Sequence, residues 1–235
     1  MINLIKNELF KIKIVKILIS FGVFFTILLL FFKKGKNLYE LSFNMIPIIG
    51  IFVCLFFGGT ISSEIEKGTF RYYLTKPVSR HKIYASKVLT SFFYCYISIL
   101  IILIFLVIFL KKIDLFFTSK LLTYSIPLYF LSTFVIFLSS KLKSPSLAIC
   151  LGLLVFCFSL LLTQVLLDMN LHLVKFTFLP YLDFTLFDDS ENLDIINKSY
   201  NINLNLKSGV LIDIIYTLLF FIVGNISFIK KDIKS

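Results

Sequence analysis

Tryptophan is absent from this chain, and charge is scarce: only 16% of its 235 residues are Asp, Glu, Lys or Arg. Soluble domains average about 25% charged residues, so composition argues against a water-soluble domain of this length. No glycine is followed by another five positions later. The phosphate-cradling pattern G-x-x-x-x-G-K-[ST] therefore cannot be written in this sequence, and any ATP hydrolysis tied to this protein falls to another polypeptide. The four cysteines, Cys54, Cys95, Cys150 and Cys157, all lie within apolar runs and have no zinc-type spacing, which suits small hydrophobes rather than metal or redox chemistry. His81 and His172 each stand alone, without a Cys, Ser or Asp arrangement that suggests catalysis. No enzymatic activity is expected of the chain, and no cofactor or metal of its own.

What remains is apolar. Hydrophobic residues make up 58% of the chain, 29 of them Phe, and the mean hydropathy is +0.95. The runs are continuously apolar, without the ~10-residue alternation of a membrane barrel. The expected class is an all-α polytopic membrane protein forming one domain over 1–235. Six spans are expected, at 17–32, 41–61, 88–110, 121–138, 147–167 and 210–228. Ahead of them, Ile5, Leu9, Ile12 and Val15 recur at helical spacing, with Lys6, Lys13 and Lys16 mostly elsewhere on the wheel. That pattern predicts an amphipathic helix over 1–16 lying in the headgroup layer. The first run ends in Phe31-Phe32-Lys33-Lys34, without the small residues of a signal-peptide cleavage site, so it is expected to stay as a span. Pro47, Gly50 and Gly58-Gly59 interrupt the second span and predict a kink or a close helix contact.

Six spans place both termini on one side. That side carries fifteen lysines and arginines against nine on the other, and four acids against eight. The positive-inside rule makes it cytoplasmic. The expected location is the cell membrane, with the 62–87 interval inside and the 168–209 interval outside. Leu179-Pro180-Tyr181-Leu182 and Phe176, Phe178 and Phe184 suggest short interfacial helices in the outer interval.

The interval Ser62–Lys87 is the one the other segments are arranged around. It carries eight charged residues and both arginines of the protein, Arg71 and Arg80; a planar bidentate donor can hold a partner in ways an ammonium cannot. Pro77 stops any helix, and Ser79 is a plausible N-cap for a second one running into span three. Residues 60–90, TISSEIEKGTFRYYLTKPVSRHKIYASKVLT, resemble the signature loop of permease subunits of type-2 ATP-binding-cassette (ABC) transporters. The likeness rests on Glu64, Glu66, Gly68, Thr69, Lys76, Pro77, Ser79, Arg80 and Lys87. The six-span plan, Asn7-Glu8 in the N-terminal helix and the outer segment before span six are similar too. In size and general pattern the chain resembles the small permeases of peptide-antibiotic immunity and bacitracin-type resistance.

The resemblance implies that the loop is a coupling helix docking into a separate ATPase, with Glu64, Glu66, Gly68, Thr69, Arg71, Tyr73, Pro77, Arg80 and Lys87 as coupling residues. It implies two ATPase copies that bind ATP and Mg, a second permease copy or paralogue, and export of an amphipathic substrate such as a lantibiotic, giving immunity or antibiotic resistance. Phe70, Tyr72 and Tyr73 depart from the family's usual arginine-rich loop and mark a dedicated ATPase.

Asn44, Tyr94, Gln164 and Asp213 are the candidates for a substrate path. For Asn44, Gln164 and Asn225 an interhelical hydrogen bond is the stronger expectation, and for Tyr94 aromatic packing. Asp213, near the outer face, either lines an exit for a cationic substrate or reaches the interface. The competing function is a non-transporting sensor or scaffold that binds a ligand through 168–209.

Overall fold

The computed structural model describes Glu8 and residues 45–69, 79–110, 115–169, 172–182, 184, 187, 190–200 and 202–230. The expected N-terminal helix, except Glu8, and the expected first span lie outside these residues, as do Asn44, Arg71, Tyr73 and Pro77.

The described residues are helical, without a strand. In chain order they form α1 (Met45–Phe57), α2 (Thr60–Glu66), α3 (Arg80–Leu110), α4 (Leu115–Tyr124), α5 (Ile126–Lys141), α6 (Pro145–Cys157) and α7 (Ser159–Asp168). Two 3-10 helices follow, His172–Phe176 and Leu179–Tyr181, then α8 (Ser190–Ser199) and α9 (Leu206–Lys230). Among the described residues, four stretches are long and apolar enough to cross a membrane: Met45–Glu66, Arg80–Ile104, Thr118–Lys141 and Leu206–Lys230. The bent pair α6–α7 adds a fifth if counted as one span. These helices are those of a multi-pass membrane protein.

Span two runs further than its hydropathy suggests. It breaks at Gly58-Gly59 and resumes as α2 through Glu66. The glycines also admit a neighbour: a Cβ on Gly58 would lie 3.1 Å from the Ile149 backbone of α6, and one on Gly59 3.1 Å from Pro145. Both halves of the expectation, break and close contact, hold.

Span five departs from the straight helix that hydropathy suggests. α6 and α7 meet at 63°, at Phe158, whose backbone leaves helical values (φ −104°, ψ 12°). No proline or glycine lies within 153–163. Side chains rework the ladder instead: the Ser159 hydroxyl donates to the Phe156 carbonyl at 3.0 Å and Thr163 to the Ser159 carbonyl at 2.8 Å. Hydroxyls bonding back to the preceding turn bend helices.

α5 sits at the centre, with most of its side chains buried. Its most extensive partner is α9, through Phe130, Phe134 and Phe137 against Tyr216 and Phe220, with Phe178 wedged among them. The outer face of α9 is different. Leu211, Ile215, Leu218, Ile222 and Ile226 are all exposed, as suits a helix whose other side meets lipid. The 3-10 helices and α8 fulfil the expectation of short helices in the 168–209 interval. α8 ends where Asn197 clamps Leu204, accepting from its N–H at 2.9 Å and donating to its carbonyl at 3.2 Å.

Candidate functional site

The described ends of the 62–87 interval are anchored to three helices. On the first side, α2 finishes at Glu66 and Gly68 adopts φ +68°. A left-handed residue just past a helix end is most often glycine, because a Cβ is strained there. Nothing lies within 4 Å of a Cβ built on Gly68, so conformation and not space requires the glycine. The Thr69 hydroxyl then donates to the Glu64 carbonyl at 3.2 Å, satisfying an acceptor that the helix end leaves open. Gly68-Thr69 thus closes α2, and Glu66, Lys67, Gly68 and Thr69 remain exposed.

At its other end α2 needs donors satisfied, because the break at Gly58-Gly59 frees the first N–H groups. Ser139 of α5 supplies the acceptor: its Oγ takes the Ile61 and Ser62 N–H groups at 2.9 and 3.1 Å and lies 3.2 Å from the Ser62 hydroxyl. Ser62 is therefore buried helix, not the start of an exposed loop. Ser139, just beyond the expected end of the 121–138 span, is likewise inside, within α5.

Two expected coupling residues face inward. Lys87, on α3, is 2% exposed. Its Nζ lies 2.9 Å from Glu64 Oε2 and 3.1 Å from Glu8 Oε2, and both carboxylates are largely buried. The ammonium joins the N-terminal segment, α2 and α3. A cavity of about 410 Å³ opens beside it, with Thr60, Ser63, Glu64, Lys67 and Lys87 on its polar side.

On the second side the chain re-enters at Ser79, whose carbonyl accepts the Lys82 and Ile83 N–H groups at 3.0 and 3.3 Å, opening α3. Arg80 reaches α9: its Nη1 donates to the Ile229 carbonyl at 2.9 Å. A cation on the last carbonyls of a helix meets unsatisfied acceptors and the negative end of its dipole. His81 Nδ1 lies 3.1 Å from Asn225 Oδ1, so Asn225 bonds between helices as expected. One turn on, Tyr84 is fully buried against Phe221 and Phe228. Its ring fills the notch at Gly224, where a Cβ would stand 2.0 Å from the Tyr84 hydroxyl. Arg80, His81 and Tyr84 form a clasp on the end of α9 that neither helix's own pattern announces.

The substrate-path candidates do not converge. Tyr94 is buried edge-on to Phe56 and Phe57, which is packing. Gln164 is exposed and makes no hydrogen bond among the described residues; it lines an apolar pocket of about 340 Å³ with Leu160, Leu161, Tyr200 and Leu204. The interhelical bond expected of it is not made there; past the 63° bend, α7 packs mainly against the two 3-10 helices. Asp213 does not reach the interface: it is 0% exposed. Near it, Tyr181 donates to the Lys175 carbonyl at 3.0 Å, and burial raises its phenol above the ordinary range while a bond with Ser208 opposes that shift.

A family model described as "Protein of unknown function (DUF2705)" matches residues 9–234, nearly the whole chain. No curated protein matches it.

Proposed function

We infer that this chain, which belongs to the DUF2705 family, is the membrane permease subunit of an ABC-type exporter, driven by a separate ATPase that docks on the 62–87 interval. The observation that carries this reading is the anchorage of that interval. Glu64 and Lys87 tie its two feet together at 2.9 Å, Ser139 ties the first foot to α5, and Arg80 with Tyr84 ties the second to α9. A push on such a loop moves rigid helices rather than flexing a tether.

In this reading the coupling residues differ in role. Glu66, Gly68 and Thr69, which are exposed, meet the partner. Glu64, Arg80 and Lys87, which bond to other segments of the chain, relay the motion. In this reading the chain has six spans, with both termini and the coupling loop cytoplasmic, an interfacial helix at the N-terminus and a second copy or paralogue beside it. Two ATPase subunits bind ATP and Mg. The cargo is an amphipathic molecule of the peptide-antibiotic class.

Co-purification in mild detergent tests the reading. An ATPase should accompany the wild-type chain and be lost with Glu66→Lys, while Glu66→Gln retains it. Vesicles containing the complex should export the cargo only with ATP. A wild-type chain that captures no ATPase would end the proposal.

One observation favours the alternative of a ligand sensor: the apolar pocket beside Tyr200 and Gln164 lies between α7 and the outer segment. If Gln164→Leu with Tyr200→Ala abolishes the cellular phenotype and Glu66→Lys does not, that alternative prevails.

A further inference from the structure

Asp213, two turns into α9, is fully buried, and neither of its carboxylate oxygens has a hydrogen-bond partner or an ion pair among the described residues. Its surroundings show why. One turn before it, Gly209 lets the outer segment settle directly on α9: a Cβ there would lie 2.6 Å from the Tyr181 ring and 3.2 Å from Phe184. Those rings are held in turn, Tyr181 stacked on Phe187 and Phe184 edge-on to Tyr124. One turn after it, the Tyr216 hydroxyl donates to the Phe176 carbonyl at 3.2 Å, and the Tyr216 ring packs on Phe178 and Phe130. Aromatic rings thus pack on α9 one turn before and one turn after the acid, and those over Gly209, Tyr181 and Phe184, form a cap on the outer-segment side.

The described ionisable groups on the surrounding elements do not compensate a charge there. Tyr181 donates to the Lys175 carbonyl, Lys120 lies over the Tyr124 ring, and Asp168 accepts from Tyr200. Lys175 lies over Phe176, and Lys207 is exposed. Tyr129 of α5 packs against Phe92, and Lys141 ends that helix far from Asp213. The polar residues by which α3 holds α9, Arg80 and His81, meet it at least twelve residues further on, about 18 Å along the helix. An ionised carboxylate buried without donors is strongly disfavoured. A metal ion needs several oxygen or nitrogen ligands, and no group of three His, Cys, Asp or Glu among the described residues could hold one. An organic cation needs room that the rings occupy. A proton needs neither.

We propose that Asp213 is a proton-binding site. Its carboxyl is neutral while the cap of Tyr181 and Phe184 is closed, and it ionises when the cap lifts. In that step the Asp213 O–H bond breaks, the proton passes to a water molecule from the outer side, and the carboxylate stays behind, hydrated. The closed form binds the proton and the open form releases it, so raising the pH favours opening. The site does not depend on the ATPase reading, because nothing in it touches the 62–87 interval.

The experiment uses the full-length protein in lipid nanodiscs. Infrared difference spectra between wild type and Asp213→Asn at neutral pH should show the carbonyl band of a protonated carboxylic acid, lost in the variant. Hydrogen exchange of segment 172–187, taken as the ratio of wild type to Asp213→Asn at each pH, should stay near one at low pH and rise severalfold as the pH is raised. An ionised carboxylate band at neutral pH, or a ratio independent of pH, overturns the proposal. If Asp213→Asn does not fold, a pH titration of the wild type decides: with no protonated carboxyl band at neutral pH, the proposal is wrong.

Discussion

Tyr84 keeps a hydroxyl with no hydrogen-bond partner among the described residues, in the core of the clasp. A buried donor without a partner costs about 1–3 kcal/mol, so Tyr84→Phe should leave stability unchanged or raise it by about 1 kcal/mol. Gly224→Ala is the opposite case. Its methyl would stand 2.0 Å from that hydroxyl and 2.7 Å from the ring carbon bearing it, and overpacking costs about 1–3 kcal/mol. The loss should shrink in the Tyr84→Phe background, where the nearest clash is gone. Thermal unfolding of purified protein in detergent reads both. Lys87 is the other decisive residue. Lys87→Ala leaves two largely buried carboxylates facing each other and should cost about 3–5 kcal/mol. Lys87→Met combined with Glu8→Gln and Glu64→Gln should recover much of it, because the uncompensated charges are removed. The resemblance named Glu64 and Lys87 among nine coupling positions and could not say that these two face each other. A side chain's direction depends on the helix beside it.

Where a helix breaks, the ends it exposes must be satisfied by a neighbouring element. Ser139→Ala would strand the Ile61 and Ser62 N–H groups that Ser139 now accepts. It should cost about 1–3 kcal/mol, while Ser139→Thr, which keeps the acceptor, should cost less in the same unfolding assay. The break itself was legible, because glycine pairs interrupt helices through backbone freedom. The bend at Phe158 was not. It rests on Ser159 and Thr163 bonding back along the helix, and these residues occur as readily in straight helices. The exposure of Gln164 was not legible either: it depends on what α7 packs against beyond the bend, not on its own neighbours in sequence.

Across the whole molecule, α9 connects two ends with different character. One is clasped by Arg80 and Tyr84 beside the 62–87 interval; the other lies under the Tyr181 cap beside Asp213. With 25 residues, α9 is about 37 Å long, enough to carry its two ends to opposite faces of a bilayer with a ~30 Å core. Single cysteines at Ser79 and Lys230 should react with an impermeant thiol reagent from one side of the membrane, and one at Ser199 only from the other. Labelling of all three from the same side would refute the arrangement. The sequence alone leads to the same expectation, since six spans and the distribution of lysine and arginine assign the polar intervals at 62–87 and 168–209 to opposite faces, and the labelling tests it.

Hydropathy and charge are properties of short stretches, and they were enough to determine an all-helical membrane protein, most helix positions and the two polar intervals. Contacts between distant residues are not. Lys87 meets Glu8 across 79 positions and Arg80 meets Ile229 across 149; Tyr84 finds the Gly224 notch, and Asp213 finds no partner among the described residues. Only the packing of α3, α5 and α9 decides these, because in an apolar bundle many faces can bury equally well, and shape and the few polar groups select one arrangement.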